Sequence, residues 1–230
     1  MRRIAIASGK GGVGRTVLTA NLGVALATVG KKVLLMDAGF TTPDLALFFK
    51  LERALYTLND VLAGELSPQD AMYEGPRGVK VMPLGTTPEH MKKAFPARYP
   101  ALVKKIEGFD FILIDTPAGV KRESMAGLRS AEEVLFVTPP DVVSLSDTLK
   151  SVAVADLLGL KKLGVIVNRK RGEDFEVPSK EIERFLDMRV LAEIPEDKKV
   201  AKATATGKLF LLEAPSARAS RVLLQLAKNL

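Results

Sequence analysis

The sequence predicts an α/β fold, a three-layer arrangement with a mostly parallel, twisted sheet and helices on both faces. Short apolar runs bounded by turn residues alternate with longer segments of helical period, the pattern of stacked β-α units. Several of these runs are apolar at consecutive positions, so both faces of the sheet have to be covered. No linker rich in Pro, Gly or Ser and no internal repeat divides the 230 residues, which predicts a single domain over 1–230.

The elements follow in chain order. RIAIAS predicts a strand over Arg3–Ser8, and the periodic segment after it a helix over Thr16–Val29. KVLLMD predicts a strand over Lys32–Asp37, followed by a helix over Thr57–Ala63. VKVMPL predicts a strand over Val79–Leu84 and the next segment a helix over Tyr99–Ile106. FILID (Phe111–Asp115) precedes a helix over Glu123–Leu128, and VLFVT (Val134–Thr138) one over Ser144–Leu158. LGVIVN (Leu163–Asn168) is followed by a helix over Ser179–Leu186. VLAEI (Val190–Ile194) is the last strand, with helices over Val200–Thr206 and Ala217–Leu230 behind it.

Composition removes several chemistries. The chain has no cysteine, so a disulfide framework, a thiolate zinc site and a cysteine nucleophile are all ruled out. One histidine, His90, has no His or Cys companion and reads as a surface-loop or helix-start residue. MRRIAIASGKGG is too short in apolar residues for a signal-peptide core, and no run approaches the ~18 apolar residues of a membrane span, so a cytoplasmic protein is expected. The net charge is +7, and +6 of it falls in residues 198–230, where seven cations (Lys198, Lys199, Lys202, Lys208, Arg218, Arg221, Lys228) meet one acid, Glu213.

Three strands end in a polar residue followed by a loop: Ser8, Asp37 and Asp115. Ligands of open parallel sheets bind at the carboxyl ends of strands, so these loops are expected to meet at one site. After Ser8 the chain reads Gly9-Lys10-Gly11-Gly12-Val13-Gly14-Arg15-Thr16 and enters a helix. The glycines let backbone N–H groups turn toward one centre, where the positive end of the helix dipole adds to them, so an anion can be held. Thr16 stands where the hydroxyl of a phosphate loop binds Mg²⁺, and Asp115 closes an apolar strand as the metal-side aspartate of a nucleoside triphosphatase does.

With Lys10, this loop resembles the deviant Walker A motif of the MinD/ParA family of P-loop ATPases, and the motif order over roughly residues 2–228 is that family's, with archaeal MinD-like proteins nearest in pattern. The resemblance implies a P-loop NTPase fold, ATP/ADP and Mg²⁺ as cofactors, and a homodimer formed with ATP. It assigns Lys10 to the partner's phosphates across the dimer. It gives the nucleotide to Gly11, Gly12, Val13, Gly14, Arg15, Thr16 and Val17, with Thr16, Asp37 and Asp115 on the metal side. The segment 37–45 is similar to switch I, 115–119 (Asp-Thr-Pro-Ala-Gly) to switch II, and Thr138-Pro139-Pro140 to the segment after the next strand. Asn168 and Arg169 fall at the adenine-recognition position, and Pro195, Glu196 and Asp197 in the base-lining loop. Iron–sulfur relatives are excluded by the missing cysteines.

Two departures bear on turnover. Arg15 replaces the lysine of the general phosphate-loop pattern, and a planar guanidinium is not a compact ammonium. Gly39 stands where switch I carries a second aspartate that orients the attacking water. Phosphoryl transfer depends on positioning and charge stabilisation, so slow or absent hydrolysis is expected unless Arg15 and a neighbour such as Asp44 compensate.

Other features read blandly. Glu132-Glu133 reads as a solvated pair, and the lysine pairs at 31–32, 92–93, 104–105 and 161–162 as complements to helix dipoles. Val222, Leu223, Leu226 and Leu230 would pack the last helix on the sheet, leaving Arg218, Arg221 and Lys228 in water. The basic segment leaves open a non-specific DNA contact through the phosphate backbone, as in the ParA branch, or peripheral membrane association, although no separate C-terminal targeting helix is seen. A protein regulator or cargo is expected, and the sequence does not name it.

Overall fold

The computed structural model describes residues 1–119 and 122–230. Eight strands form one sheet in the order β3-β4-β2-β5-β1-β6-β7-β8. They are β1 (Arg2–Ala7), β2 (Val33–Asp37), β3 (Tyr73–Glu74), β4 (Lys80–Met82), β5 (Phe111–Asp115), β6 (Glu133–Thr138), β7 (Lys161–Lys170) and β8 (Val190–Pro195). Every pairing is parallel except that of β3 with β4.

The helices are α1 (Arg15–Thr28), α2 (Leu58–Ala63), α3 (Pro88–Lys92), α4 (Tyr99–Lys105), α5 (Arg122–Leu128), α6 (Val142–Leu157), α7 (Ser179–Leu186), α8 (Lys198–Ala205), α9 (Phe210–Glu213) and α10 (Arg218–Asn229). The consecutive apolar positions do what a doubly covered sheet requires. In β1, Ile4 and Ile6 join the core packed under α1, α9 and α10, whereas Ala5 and Ala7 join the opposite core with residues of α4, α5 and α6. Alternate residues of one strand thus feed two separate apolar layers.

Differences from the sequence reading lie at element ends and in three short elements it did not predict, β3, α3 and α9. β4 is shorter than the predicted Val79–Leu84 strand, and its outer neighbour β3 is a two-residue antiparallel piece. α6 begins at Val142 rather than Ser144 because Asp141 caps it, its carboxylate accepting the Ser144 N–H at 2.8 Å. α8 begins at Lys198 rather than Val200 because Asp197 accepts the Lys199 N–H at 2.7 Å. His90 lies in the short helix α3, capped by Thr87, as a helix-start residue.

One reading is corrected outright. Glu132 and Glu133 are not a solvated pair: Glu132 is exposed and meets Arg3 at 2.9 Å, but Glu133 opens β6, is buried, and pairs with Arg2 at 2.6 Å and Lys161 at 3.1 Å. Neighbouring strands bring these cations beside it, which the linear sequence does not display. Leu223 and Leu226 of α10 are buried and Arg218, Arg221 and Lys228 exposed, as the helical spacing predicts. Among the described residues no helix is long and apolar enough to cross a membrane.

Candidate phosphate and metal site at the strand ends

The three polar strand ends do meet. β1 is flanked by β5 and β6, and β5 by β2, so Ser8, Asp115 and Asp37 lie at the carboxyl ends of adjacent strands, with Asp37 and Asp115 directly in register. The loop from Gly9 to Gly14 leaves β1 above them. Gly9 is required by packing, since a Cβ there would come within 2.1 Å of the Asp147 backbone in α6. Gly12 and Gly14 have positive φ (76° and 90°), a backbone that β-carbon-bearing residues avoid. Gly14 is the N-cap of α1, so the first N–H groups of that helix open onto the loop.

Arg15 and Thr16, the first residues of α1, reach back to Asp115. The Arg15 Nε donates to Asp115 Oδ1 at 2.9 Å and its Nη1 to Ser8 Oγ at 3.0 Å. The Thr16 hydroxyl donates to Asp115 Oδ2 at 2.6 Å, and that of Thr19 lies 3.2 Å from Oδ1. Asp37 is held by its own loop, accepting the Gly39 N–H at 2.7 Å and the Leu45 N–H at 3.3 Å. Burial and then the neighbouring Asp115 carboxylate push the Asp37 carboxyl up to about 7, against the weaker opposing pull of those N–H groups and Arg15. Asp44 shifts upward as well, through desolvation and Asp115, so it shares the field of the same pair.

This donor set fits a magnesium ion bound together with phosphates. Two carboxylates and a hydroxyl converge, one carboxyl is destabilised as an anion by burial and by its carboxylate neighbour, and a glycine cradle stands beside them. Among the described residues no group of three or more His, Cys, Asp or Glu side chains could hold a metal alone. Mg²⁺ is suited to such an incomplete protein site because it keeps waters and takes phosphate oxygens as ligands.

Two cavities flank the loop. One of about 350 Å³ is lined by Gly14, Val17, Asn168, Arg169, Pro195, Glu196 and Asp197, which brings together every base-side residue named from the sequence. Asn168 is fixed by donating its Nδ2 to Val13 O at 2.7 Å. Glu196 is paired with Arg171, and Asp197 is occupied in capping α8. Leu18, Val200, Ala201, Thr204 and Phe210 line the same cavity and were not anticipated; the spacing of Val200 and Thr204 on one face of α8 was their only signal. The other cavity, about 330 Å³, is lined by Lys10, Gly11, Gly12, Val13, Pro139 and Pro140 and shares Arg169 with the first. Lys10 is exposed at its mouth.

Similarity to known proteins extends over the whole chain. The family model described as ParA, "NUBPL iron-transfer P-loop NTPase", matches residues 1–230. An uncharacterized ATP-binding protein of Methanocaldococcus jannaschii is 41% identical over 228 residues, covering 99% of this chain and 86% of that protein. The septum site-determining protein MinD of Pyrococcus horikoshii, solved with Mg-ADP, superposes with a TM-score of 0.94 at 37% identity over 99% of this chain and 95% of that one. The MinC:MinD cell division protein complex of Aquifex aeolicus matches at 0.89 and 30% identity, covering 100% of this chain and 95% of the other. With the family model matched over residues 1–230 and the fold superposing over nearly the whole chain, the chain belongs to the ParA/MinD family of P-loop NTPases.

Proposed function

We propose that this protein is a MinD-type switch that binds Mg²⁺ and ATP, dimerises in the ATP state and positions a cellular assembly such as a division or surface apparatus, with slow or absent hydrolysis. The observation that carries the reading is the convergence of Thr16, Asp37 and Asp115 beside the glycine cradle, with a separate cavity at Asn168 of a size for a base. Backbone N–H groups of Gly11 to Thr16 would hold the phosphates, Thr16, Asp37 and Asp115 the metal and its waters, and Val17, Asn168, Arg169 and Pro195 the adenine. Glu196 and Asp197 line the same pocket. When bound, Mg²⁺ supplies charge that offsets the developing negative charge on the transferred phosphoryl group. Lys10, exposed and free to extend from the loop, would serve the partner's phosphates.

Slow turnover is supported by two local facts. Arg15 is already engaged by Asp115 and Ser8, and switch I has Gly39 where a water-orienting carboxylate would stand. Restoring Asp at 39 is crowded, because a Cβ there would sit 3.0 Å from Asp37 Oδ1. Asp44 is the carboxylate at hand for compensation.

Size-exclusion chromatography with light scattering in ADP and in ATP, plus single-turnover hydrolysis, tests the proposal. An ATP-dependent dimer lost in Lys10→Ala, with turnover raised in the Arg15→Lys, Gly39→Asp double variant, is the expected result. A chain that neither binds nucleotide nor changes oligomeric state overturns it. ATP retained unhydrolysed in the dimer would make the protein a nucleotide-locked scaffold. The exposed cations of α8 and α10 favour a second reading, a ParA-like ATPase on non-specific DNA. Gel shifts with ATP across a salt series distinguish it, since backbone-directed binding weakens steeply with salt.

A further inference from the structure

We propose that a cavity at the amino ends of β2 and β4, at the other end of the strands from the phosphate loop, binds a small phosphorylated organic anion with an apolar portion. The cavity has a volume of about 460 Å³ and takes Lys31, Lys32, Arg77 and Lys80 in its wall, with Met72 and Phe109 half-buried beside them. Three segments distant in the chain build it: the end of α1 with the start of β2, the hairpin of β3 and β4, and the residues just before β5.

Among the described residues no acidic side chain lines this cavity. Two acids lie near it: Glu74, which is exposed and pairs with Lys80 at 2.9 Å, and Asp110, which accepts the Lys32 backbone N–H at 2.8 Å. Lys31, Lys32 and Arg77 make no side-chain ion pair among the described residues, so four cations face two acids. The negative end of the α1 dipole accounts for a lysine at 31. It does not account for Arg77 and Lys80, which come from another element and line the same space.

Arg77 carries the inference. Its φ of 62° and ψ of 16° lie in the left-handed region, and Gly78 follows with a φ of 79°. Two such positions in a hairpin turn are ordinarily filled by Asn-Gly, Asp-Gly or Gly-Gly. The turn is closed by backbone alone, the Gly75 N–H donating to Val79 O at 2.7 Å and the Gly78 N–H to Gly75 O at 3.2 Å. A strained backbone therefore holds an exposed guanidinium that pairs with nothing among the described residues. A planar guanidinium can donate to two phosphate oxygens at once, which gives that position a use.

Gly30, Gly78 and Gly108 border the same cavity, each with open space where a Cβ would stand, so its rim is bare of side chains. Met72 and Phe109 supply apolar contact within it, and its volume is in the range of small-molecule sites. None of the large exposed apolar side chains lines it, whereas a membrane-binding surface carries such anchors around its cations. A soluble ligand is thus favoured over a lipid headgroup.

Phenyl phosphate titrated into the isotope-labelled full chain, followed through amide chemical shifts, tests this. Saturable shifts are expected at Gly30, Gly78 and Gly108, with phenyl phosphate bound about tenfold more tightly than inorganic phosphate. Arg77→Gly should weaken binding by about tenfold or more, while thermal unfolding shows stability kept or raised, because glycine accepts that backbone. Lys80→Gln, on the other strand of the hairpin, should weaken it by about threefold. Shifts confined to Gly11–Thr16 would mean that the probe meets only the phosphate loop, and would overturn the inference. Equal affinity in the parent and Arg77→Gly overturns it as well. Cosedimentation with phosphatidylglycerol vesicles that is lost in Arg77→Gly, without phenyl phosphate shifts at the three glycines, would assign this face to a lipid surface and overturn the soluble ligand.

Discussion

The two ends of the central strands handle buried charge in opposite ways. At the amino ends, Glu133 lies between Arg2 and Lys161, and these cations hold its carboxyl below the usual range despite the cost of burial. At the carboxyl ends, Asp37 is buried against a second carboxylate, with Arg15 the weakest of the influences on it, and its carboxyl rises to about 7. One sheet therefore carries a charge-matched end and a charge-deficient end. A matched end contributes to stability whatever is bound; a deficient end gains when a ligand delivers positive charge, which is where a binding site can be expected.

The largest effect expected concerns backbone fit at the deficient end. Gly9→Ala places a Cβ 2.1 Å from the Asp147 carbonyl carbon and 2.2 Å from the Thr148 nitrogen, and should destabilise by on the order of 3 kcal/mol or prevent folding. Gly30, just beyond α1 near the other end of the sheet, has open space about it and only a positive φ of 86° to satisfy, so Gly30→Ala should cost about 1 kcal/mol. Urea denaturation of the two variants gives the contrast, and equal losses would remove it.

The next two predictions have opposite signs with pH. The Asp37 carboxyl rises from the ordinary 3.8 to about 7 on folding, so the native state binds the extra proton and the nucleotide-free chain loses stability from this group as pH climbs from about 4 to about 7. Asp37→Asn should therefore stabilise that chain at pH 8 by on the order of 3 kcal/mol, with the gain vanishing near pH 4. Glu133 is lowered instead, so its contribution is present above the ordinary 4.5 and is lost as pH falls through the depressed folded value. Glu133→Gln should cost about 1.5 kcal/mol at pH 7, less in high salt, and almost nothing in acid. Denaturation curves of each variant against the parent across pH 3.5–8 check both; slopes of the same sign would break the comparison.

The smallest effect tests a buried hydroxyl behind the deficient end. Tyr99 packs its ring edge-on to Phe40, in the loop after β2, at 5.6 Å, and its Oη is buried without a hydrogen-bond partner among the described residues. Tyr99→Phe keeps the ring and removes the unsatisfied group, so thermal unfolding should show a gain of about 1 kcal/mol. A loss would mean that the hydroxyl contributes to the native state after all.

The meeting of the glycine loop with Asp37 and Asp115 was legible in the sequence because each follows or closes an apolar strand, and parallel strands bring their carboxyl ends to one edge of the sheet. The central strands were legible because strands covered on both faces need uninterrupted apolar runs. Less was legible where an element depends on a neighbour far along the chain. Tyr73–Glu74 is a strand only because β4 lies beside it, and the burial of Glu133 follows from the placing of Arg2 and Lys161 on flanking strands. The helix starts at Val142 and Lys198 were missed although Asp141 and Asp197, their caps, were in plain view.

The sequence by itself determined the layered α/β fold, the phosphate loop and the order of its accompanying aspartates, since local periodicity and short-range spacing encode all three. Only the tertiary structure decided that Arg15 is bound to Asp115 and Ser8, that Asp37 and Asp115 stand in register, and that Asn168 closes against Val13. Those contacts join residues up to 155 positions apart, and the strand order of the sheet brings them into hydrogen-bonding distance.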